Sequence, residues 1–190
     1  MSSKPKTGGK PATAGAAEFL DAYPAESAKP SEFSAAVLTV SDSTARGERA
    51  DLSGPAVAAT LEKKRFRVVA SEIVPDEQRE IEQAIVRLAE KAQLVVTTGG
   101  TGLAARDVTP EATRAVTERL VEGIAERMRS EGARKTPLAA LSRGVCGVRG
   151  RALVLNLPGS PAGATEALGA VLDIVPHALE LLAGKTGHGK

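Results

Sequence analysis

The stretch "VVTTGGTGLAARDVTPEAT", residues 95–113, decides how this sequence is expected to fold. Its first residues form a short apolar run of strand type. "Thr109-Pro110-Glu111" is typical of a helix start, with Thr109 as the N-cap and Pro110 at the first helical position. Three glycines and an Arg-Asp pair lie between the strand and the helix. A simple connection needs one glycine at most, so this loop is predicted to hold a ligand.

Outward from this stretch, strands and helices alternate along the chain. The apolar runs "SAAVLTVSD", "FRVVASEIV" and "QLVVTTG" predict three strands, and "CGVRG" with "RALVLNLPG" predicts a pair joined near Gly150. Helices are predicted over "DLSGPAVAATLEKKR", with Ser53 as N-cap, over "DEQREIEQAIVRLAEKA", and twice over 109–134. A last helix over about 161–182 is kinked or broken at Pro176. The alternation predicts an α/β sandwich around a mostly parallel sheet.

Three of the predicted strands run into loops that are rich in small polar residues. These loops are "TVSDSTARGERADLSG", "TTGGTGLAARDVTPE" and "NLPGSPAG". In an open parallel sheet, ligands bind outside the carboxyl ends of the strands. All three loops would lie on that edge, and a purely structural protein would not need all of them to be so enriched. The edge is therefore the predicted location of the functional site.

Two of these loops are candidate anion cradles. "TTGGTG" offers accessible backbone N–H groups, because glycine lets a ligand approach the main chain closely. Backbone donors beside a helix N-terminus form an anion site. The alternative is a tight turn that needs its glycines only for geometry, and we favour the anion site. In "NLPGSPAG", Asn156, Gly159 and Ser160 form the second cradle, with Ser160 capping the last helix.

Two carboxylates accompany the glycine loop. Asp107 lies directly beyond it, and Asp76 lies in "VPDE", where the second strand gives way to a helix. Asp76 is interpreted either as a metal ligand or as a helix N-cap, and the sequence does not decide between them. The cap interpretation is weaker for Asp107, because Thr109 takes that role. Two carboxylates beside a phosphate cradle predict Mg²⁺, which binds one or two carboxylates together with substrate phosphates.

The remaining candidates are single side chains near the same edge. Ser41 and Asp42 end the first strand, and Ser142 and Arg143 lie in "LSRG". Arg143 either reaches an anion or is simply solvated. Cys146 is interpreted as a buried strand residue rather than a reactive thiol.

Two familiar nucleotide motifs are rejected. "GTGLAA", residues 100–105, satisfies the G-x-G-x-x-G/A dinucleotide pattern, but "RDVTP" separates it from the next helix. The acidic residue expected at the end of a following strand is also missing from this region. "GKT", residues 184–186, resembles the end of a P-loop but lacks its first glycine and a following helix.

Composition excludes several classes of function. A formal charge of +2 gives no basic excess, and three Phe and one Tyr offer few stacking platforms, so no nucleic-acid partner is expected. Cys146 is the only cysteine beside two histidines, which rules out an intrachain disulfide and a His/Cys zinc site. No early apolar segment is long enough for a signal peptide or a membrane span, so the cytoplasm is the expected location.

Five segments together resemble the molybdopterin adenylyltransferase family of molybdenum cofactor biosynthesis. They are "AAVLTVSDS", "VPDE", "TTGGTGLAARDVTPEAT", "LSRGVCGVRG" and "LVLNLPGSPAG", and the resemblance spans about residues 34–183. It implies a three-layer α/β/α sandwich, a homotrimer, and transfer of AMP from Mg·ATP to the phosphate of molybdopterin with release of pyrophosphate. A downstream molybdenum-insertion protein would take the product.

The resemblance also implies the residues of the site. The essential acids of the family fall on Asp76 and Asp107, which are expected to be catalytic and to bind Mg²⁺. Its ligand loops fall on Ser41, Asp42, Thr98, Gly99, Gly100, Thr101, Gly102, Ser142, Arg143, Asn156, Pro158, Gly159 and Ser160. A phosphate monoester is mostly dianionic at about pH 7 and needs no strong general base, which suits loops without His or Cys.

The chain is predicted to consist of one domain with two tails. Residues 1–32 are expected to be a flexible N-terminal tail, 33–184 the molybdopterin-binding domain and 185–190 a C-terminal tail. The alternative to the enzyme is a non-catalytic molybdopterin-binding carrier or trimeric scaffold of the same fold. A weaker third hypothesis is generic nucleotide binding by the glycine loop.

Overall fold

The computed structural model describes residues 33–185, so the predicted tail over 1–32 and the last five residues of the predicted C-terminal tail lie outside the described residues. The strands are β1 Ser34–Val40, β2 Arg67–Val74, β3 Leu94–Thr98, β4 Arg119–Leu120, β5 Cys146–Arg149 and β6 Ala152–Leu157. The helices are α1 Asp42–Ala45, α2 Ser53–Lys63, α3 Gln78–Ala89, α4 Thr109–Val116, α5 Glu122–Ala133, a 3₁₀ helix Pro137–Leu141, α6 Pro161–Gly169 and α7 Val175–Leu182.

The strands form one six-stranded sheet in the order β2-β1-β3-β6-β5-β4. The first four of these run parallel, and β5 pairs antiparallel with both β6 and β4. The sheet is therefore mostly parallel, as predicted. The register sets Thr39 beside Thr98 and Thr98 beside Leu157, so β1, β3 and β6 end at the same level. Their following loops consequently meet at one edge.

Both faces of the sheet are covered, which confirms the three-layer sandwich. Alternate residues of β1 enter two separate cores, with Ala35 and Val37 in one and Leu38 in the other. The first core packs the sheet against α2, α5, α6 and α7, and the second packs it against α3 and α4. Burial on both faces explains why β1 and β3 are continuous apolar runs rather than alternating ones.

The predicted last helix is two helices. α6 ends at Gly169 and α7 begins at Val175, with Pro176 in the first turn of α7. Proline lacks the N–H that would continue a helix through this point, but it is tolerated in a first turn. The chain therefore breaks rather than bends there.

Two predicted helix caps are wrong. Ser53 is the first residue of α2, Leu52 occupies the N-cap position, and Asp51 Oδ1 accepts a hydrogen bond from the Gly54 amide in the first turn at 2.9 Å. Thr109 is likewise inside α4, where its hydroxyl donates to the carbonyl of Gly99 at 2.9 Å. The hydroxyl of Thr109 is therefore used to hold the glycine loop and not to cap the helix.

None of the helices formed by residues 33–185 is long and apolar enough to cross a membrane.

Candidate functional site

The glycine loop after β3 lies directly on the turn after β6. Thr98 Oγ1 donates to the carbonyl of Pro158 at 2.7 Å, and the Gly99 amide donates to the carbonyl of Leu157 at 3.3 Å. A Cβ on Gly159 would lie 3.2 Å from the Cα of Gly99. The two predicted cradles therefore form one continuous surface at the carboxyl edge of the sheet.

The first two glycines of the loop are required by its geometry. Gly99 and Gly100 have φ angles of +102° and +62°, in the region that L side chains rarely adopt. A Cβ would lie 2.2 Å from the Val40 carbonyl oxygen at Gly99, and 2.4 Å from Thr109 Oγ1 at Gly100. Turn geometry, the alternative interpretation, is thus sufficient to explain these two glycines. This explanation does not exclude a ligand, since the absence of side chains at residues 99 and 100 leaves the main chain accessible.

Asp76 is paired with Asp42 and does not cap a helix. The Asp42 amide donates to Asp76 Oδ2 at 2.8 Å, and the Asp76 amide donates to Asp42 Oδ1 at 3.1 Å. α3 begins only at Gln78, with Glu77 in the N-cap position and no side-chain cap. The N-cap interpretation of Asp76 is therefore wrong. The side chain instead lies against the glycine loop, with Oδ1 3.2 Å from where a Cβ on Gly100 would be.

The charges around Asp76 are unbalanced. Burial raises the pKa of Asp76, and the carboxylates of Asp42 and Asp107 raise it further, against the lowering effects of a hydrogen bond from Asp42 and of Arg106. The Arg106 guanidinium holds the pKa of Asp42 below its usual range, since Nε and Nη2 donate to its two oxygens at 2.9 and 2.8 Å. Arg106 also donates to Glu77 at 2.9 Å. Asp42 is thus neutralised by a cation, while Asp76 and Asp107 have no direct cationic partner among residues 33–185.

The pair Asp76 and Asp107 offers the hard oxygen donors that Mg²⁺ prefers. Within the part of the chain that the structure describes, no group of three or more His, Cys, Asp or Glu is arranged to hold a metal. A cation at this pair would therefore complete its coordination with water or with substrate oxygens, which is the usual situation for Mg²⁺ beside phosphates.

Asp107 is fixed by its own loop. Its Oδ2 accepts a hydrogen bond from the Ala104 amide at 2.8 Å, and its amide donates to the Ala104 carbonyl at 2.9 Å. A Cβ on Gly102 would lie 2.8 Å from the same Oδ2. The carboxylate is therefore held close to the glycine backbone.

Arg143 is not merely solvated. Its Nε donates to the carbonyl of Gly102 at 2.6 Å, Nη2 donates to the carbonyl of Asp107, and Nη1 pairs with the carboxylate of Glu111. Its neighbour Ser142 has its hydroxyl at 3.3 Å from the Gly144 amide, which donates to it. Arg143 is thus engaged in contacts inside the protein.

Asn156 has a buried side chain that joins three elements. Oδ1 accepts from the Val145 amide at 3.2 Å, and Nδ2 donates to Thr97 Oγ1 at 3.0 Å and to Thr113 Oγ1 at 2.8 Å. Both amide protons are therefore used within the protein. Ser160 caps α6, as predicted, by accepting from the Gly163 amide at 3.2 Å.

A cleft of about 650 Å³ opens at this edge. It brings together nine of the residues predicted for the site: Gly100, Thr101, Gly102, Asp107, Ser142, Asn156, Pro158, Gly159 and Ser160. Six others are not among its lining residues: Ser41, Asp42, Asp76, Thr98, Gly99 and Arg143. Of these, Asp76 contacts the cleft region through Gly100, and Thr98 is fully buried.

The opposite wall of the cleft was missed by sequence reasoning. It comes from α5, the 3₁₀ helix and α6, and it includes Met128, Leu138 and Leu141. Leu138 and Leu141 are 69% and 52% exposed. An ion pair between Lys135 and Glu166, 2.9 Å apart, also lies on this wall. Nothing in "PLAAL" signalled this wall, because the exposure of its leucines is known only from the structure.

Cys146 is buried, as predicted, and burial raises the pKa of its thiol to about 12. It plays no part in the cleft.

Comparison with known proteins identifies the family. Residues 36–177 match the family described as a probable molybdopterin binding domain. The chain is 40% identical over 152 residues to the molybdopterin adenylyltransferase of Helicobacter pylori strain J99, covering 78% of this chain and 86% of that protein. It is 38% identical over 164 residues to the molybdopterin adenylyltransferase of Escherichia coli K12, covering 78% and 84%.

The fold comparison agrees. The crystal structure of the molybdopterin biosynthesis enzyme MoaB from Thermus thermophilus matches with a TM-score of 0.76 and 55% identity, covering 80% of this chain and 97% of that one. The resemblance found in the sequence is confirmed by these matches. The chain therefore belongs to the molybdopterin-binding domain family that includes the molybdopterin adenylyltransferases.

Proposed function

We propose that this protein is a molybdopterin adenylyltransferase that uses Mg·ATP, transfers AMP to the phosphate of molybdopterin and releases pyrophosphate. The observation that carries the proposal is a cleft that the glycine loop, Asp107 and the "LNLPG" turn line together. Its volume of about 650 Å³ lies within the range of small-molecule sites. Membership of the family supports molybdopterin as the substrate.

The two walls of the cleft suit the two ends of such a substrate. The glycine loop and the turn Pro158–Ser160 present backbone and hydroxyl groups, which suit a phosphate. The opposite wall carries the apolar side chains of Met128, Leu138 and Leu141 beside the Lys135–Glu166 ion pair, and its apolar part suits a flat heterocycle. A substrate that carries a pterin ring and a phosphate would therefore be oriented by the difference between the walls.

The reaction makes modest demands on proton transfer. A phosphate oxygen of molybdopterin attacks the α-phosphorus of ATP, and the bond from that phosphorus to the bridging oxygen of the leaving pyrophosphate breaks. The nucleophile is already an anion, so the task is to bring two anions together in the correct geometry. Asp76 and Asp107 would hold Mg²⁺, which when bound supplies the positive charge that this approach requires. Asp42 and Arg106 would orient Asp76.

Several wider properties belong to the same proposal. A homotrimer and delivery of the product to a downstream molybdenum-insertion protein rest on the family resemblance. A cytoplasmic location and the absence of nucleic-acid and membrane partners rest on the composition of the sequence. The domain limits 33–184 also remain a prediction.

The direct test is incubation of the purified protein with molybdopterin, ATP and MgCl₂ while pyrophosphate is measured. The proposal expects release that requires all three additions and is abolished by EDTA. A carrier or scaffold would bind molybdopterin and release no pyrophosphate above background. A generic nucleotide-binding protein would bind ATP with an affinity that Asn156→Ala and Ser142→Ala leave unchanged.

A further inference from the structure

Arg143 contacts the glycine loop through both its main chain and its side chain. Its amide donates to the carbonyl of Thr101 at 3.0 Å, and Nε donates to the carbonyl of Gly102 at 2.6 Å. Nη2 donates to the carbonyl of Asp107. One residue, in the loop that precedes β5, therefore holds both ends of the segment 101–107.

The segment between these two ends is already closed on itself. The amides of Ala104 and Asp107 each bond the other residue, through Asp107 Oδ2 and the Ala104 carbonyl. A compact turn of this kind moves as a unit, so the groups that anchor its ends determine where its carboxylate lies. Arg143 holds the carbonyls of Gly102 and Asp107 at the two ends of the turn, while the side chain of Arg106 within it also bonds Asp42 and Glu77.

The surroundings of Arg143 do not favour a role as an anion ligand. Arg143 is not among the residues that line the 650 Å³ cleft, although its neighbour Ser142 is. Glu111 from α4 pairs with Nη1 and balances the charge. All three guanidinium nitrogens thus donate hydrogen bonds, two of them to backbone carbonyls and one to a carboxylate.

We propose that Arg143 is a positioning residue that sets the location of Asp107, and not a ligand of a substrate phosphate. The inference rests on the proposed function only in the role given to Asp107. The planar fork of an arginine can span two carbonyls, whereas the ammonium of lysine is a single point of charge. Arg143→Lys therefore keeps the positive charge but cannot bond the carbonyls of Gly102 and Asp107 in the same way.

The experiment compares Arg143→Lys and Arg143→Gln with wild type and with Arg149→Lys. Arg149 is a matched control, because its Nη1 makes the same kind of bond, to the carbonyl of Val116 at 2.7 Å, away from the cleft. Two experiments are made. The first measures hydrogen–deuterium exchange of peptides covering 101–108, and the second measures kcat and KM for molybdopterin at saturating Mg·ATP.

The proposal expects both Arg143 variants to exchange faster than wild type in peptides covering 101–108, and to match wild type in the rest of the domain. It also expects kcat to fall about 10–100-fold, as displacement of a reacting group can cause, with KM for molybdopterin within about twofold of wild type. Arg149→Lys should change neither the exchange of 101–108 nor kcat and KM. Glu111→Gln, which keeps both carbonyl contacts, should lower kcat much less than Arg143→Lys.

Three results would overturn the inference. One is unchanged exchange in 101–108, and another is faster exchange spread evenly over the whole domain. The third is a raised KM for molybdopterin with kcat retained, which would make Arg143 an anion ligand. If wild type releases no pyrophosphate, the proposed adenylylation fails, and the exchange data alone decide the inference.

Discussion

Asp42 and Asp76 bind each other's backbone: each accepts a hydrogen bond from the amide of the other, at 2.8 and 3.1 Å. The parallel pairing of β1 with β2, which sets Val40 beside Val74, brings the two turns together. Both oxygens of Asp42 also accept from Arg106. Asp42, which was predicted to bind substrate, is therefore expected to act by holding Asp76 in place.

Replacement of Asp42 by Asn should lower turnover about tenfold, because residue 42 loses the charge that pairs both of its oxygens with Arg106 and therefore holds Asp76 less firmly. Melting temperature should change little, since exposed ion pairs contribute little to stability. Pyrophosphate release should be measured for Asp42→Asn, Arg106→Gln and the double variant. Because the two residues form one unit, the double variant should be no slower than the slower single variant. Additive losses would show that the two act separately.

Asp107→Asn should lower adenylylation roughly 10²–10³-fold while molybdopterin still binds. The amide oxygen of Asn can still accept the bond from Ala104, so the loop should keep its shape, but the charge that would bind Mg²⁺ is gone. Molybdopterin affinity, melting temperature and pyrophosphate release should be measured on the same preparation. Normal turnover with a lowered melting temperature would identify Asp107 as a structural residue.

Asn156→Ala should destabilise the domain by about 2–4 kcal/mol, because it leaves the buried Val145 amide and two threonine hydroxyls without their partner. Ser160→Ala is the control: it also lines the cleft but removes only a helix cap, at a cost of about 1 kcal/mol. Urea unfolding of both variants measures the difference. Equal stabilities, with a raised KM in Asn156→Ala, would favour direct substrate contact.

Gly100→Ala should cost more stability than Gly150→Ala, although both glycines have similar positive φ angles, +62° and +55°. At Gly150 nothing lies within 4 Å of the added Cβ, so only backbone strain of about 1–2 kcal/mol is expected. At Gly100 the Cβ would also lie 2.4 Å from Thr109 Oγ1. The two free energies of unfolding should therefore differ, and only Gly100→Ala should slow turnover. Equal free energies of unfolding would mean that the glycine loop moves to accommodate the added methyl group without loss of stability.

Cys146 should not react with a thiol reagent such as DTNB in the native protein at about pH 8. Burial raises the pKa of the thiol to about 12, so the reactive thiolate is scarce until the pH approaches that value. Unfolding in guanidinium exposes the thiol and restores its ordinary acidity. Absorbance should then report one thiol per chain, since Cys146 is the only cysteine. Rapid native labelling would show that β5 opens readily.

The fold was largely predictable from the sequence because its signals are local. Continuous apolar runs such as 94–96 predict strands that are buried on both faces. The three- and four-residue spacing of Ile81, Ile85 and Leu88 predicts a helix with one buried face. The caps were not predictable in the same way. A hydroxyl at a helix start can bond either its own helix or a neighbouring loop, and the choice made by Thr109 depends on Gly99, ten residues away.

The candidate site was predictable at its loops but not at its far wall. Glycines and carboxylates at strand ends carry a strong chemical signal, so Asp107 and Gly102 were found. Leu138 and Leu141 carry no such chemical signal, because their place on the far wall of the cleft, together with residues of α5 and α6, follows only from the fold. The roles of Asp42 and Arg143 could be recognised only in the folded protein, since the partners of their side chains are 34–64 and 32–41 residues distant in sequence.

The hydrogen bonds that Thr98, Thr109 and Arg143 make to the loops have a thermodynamic consequence. Every buried polar side-chain atom in the described part of the chain has a partner, so these loops are ordered by the fold itself. A substrate would meet loops that are already ordered, and little conformational entropy would be lost on binding. The same rigidity would keep the groups of these loops in place while charge develops during the reaction.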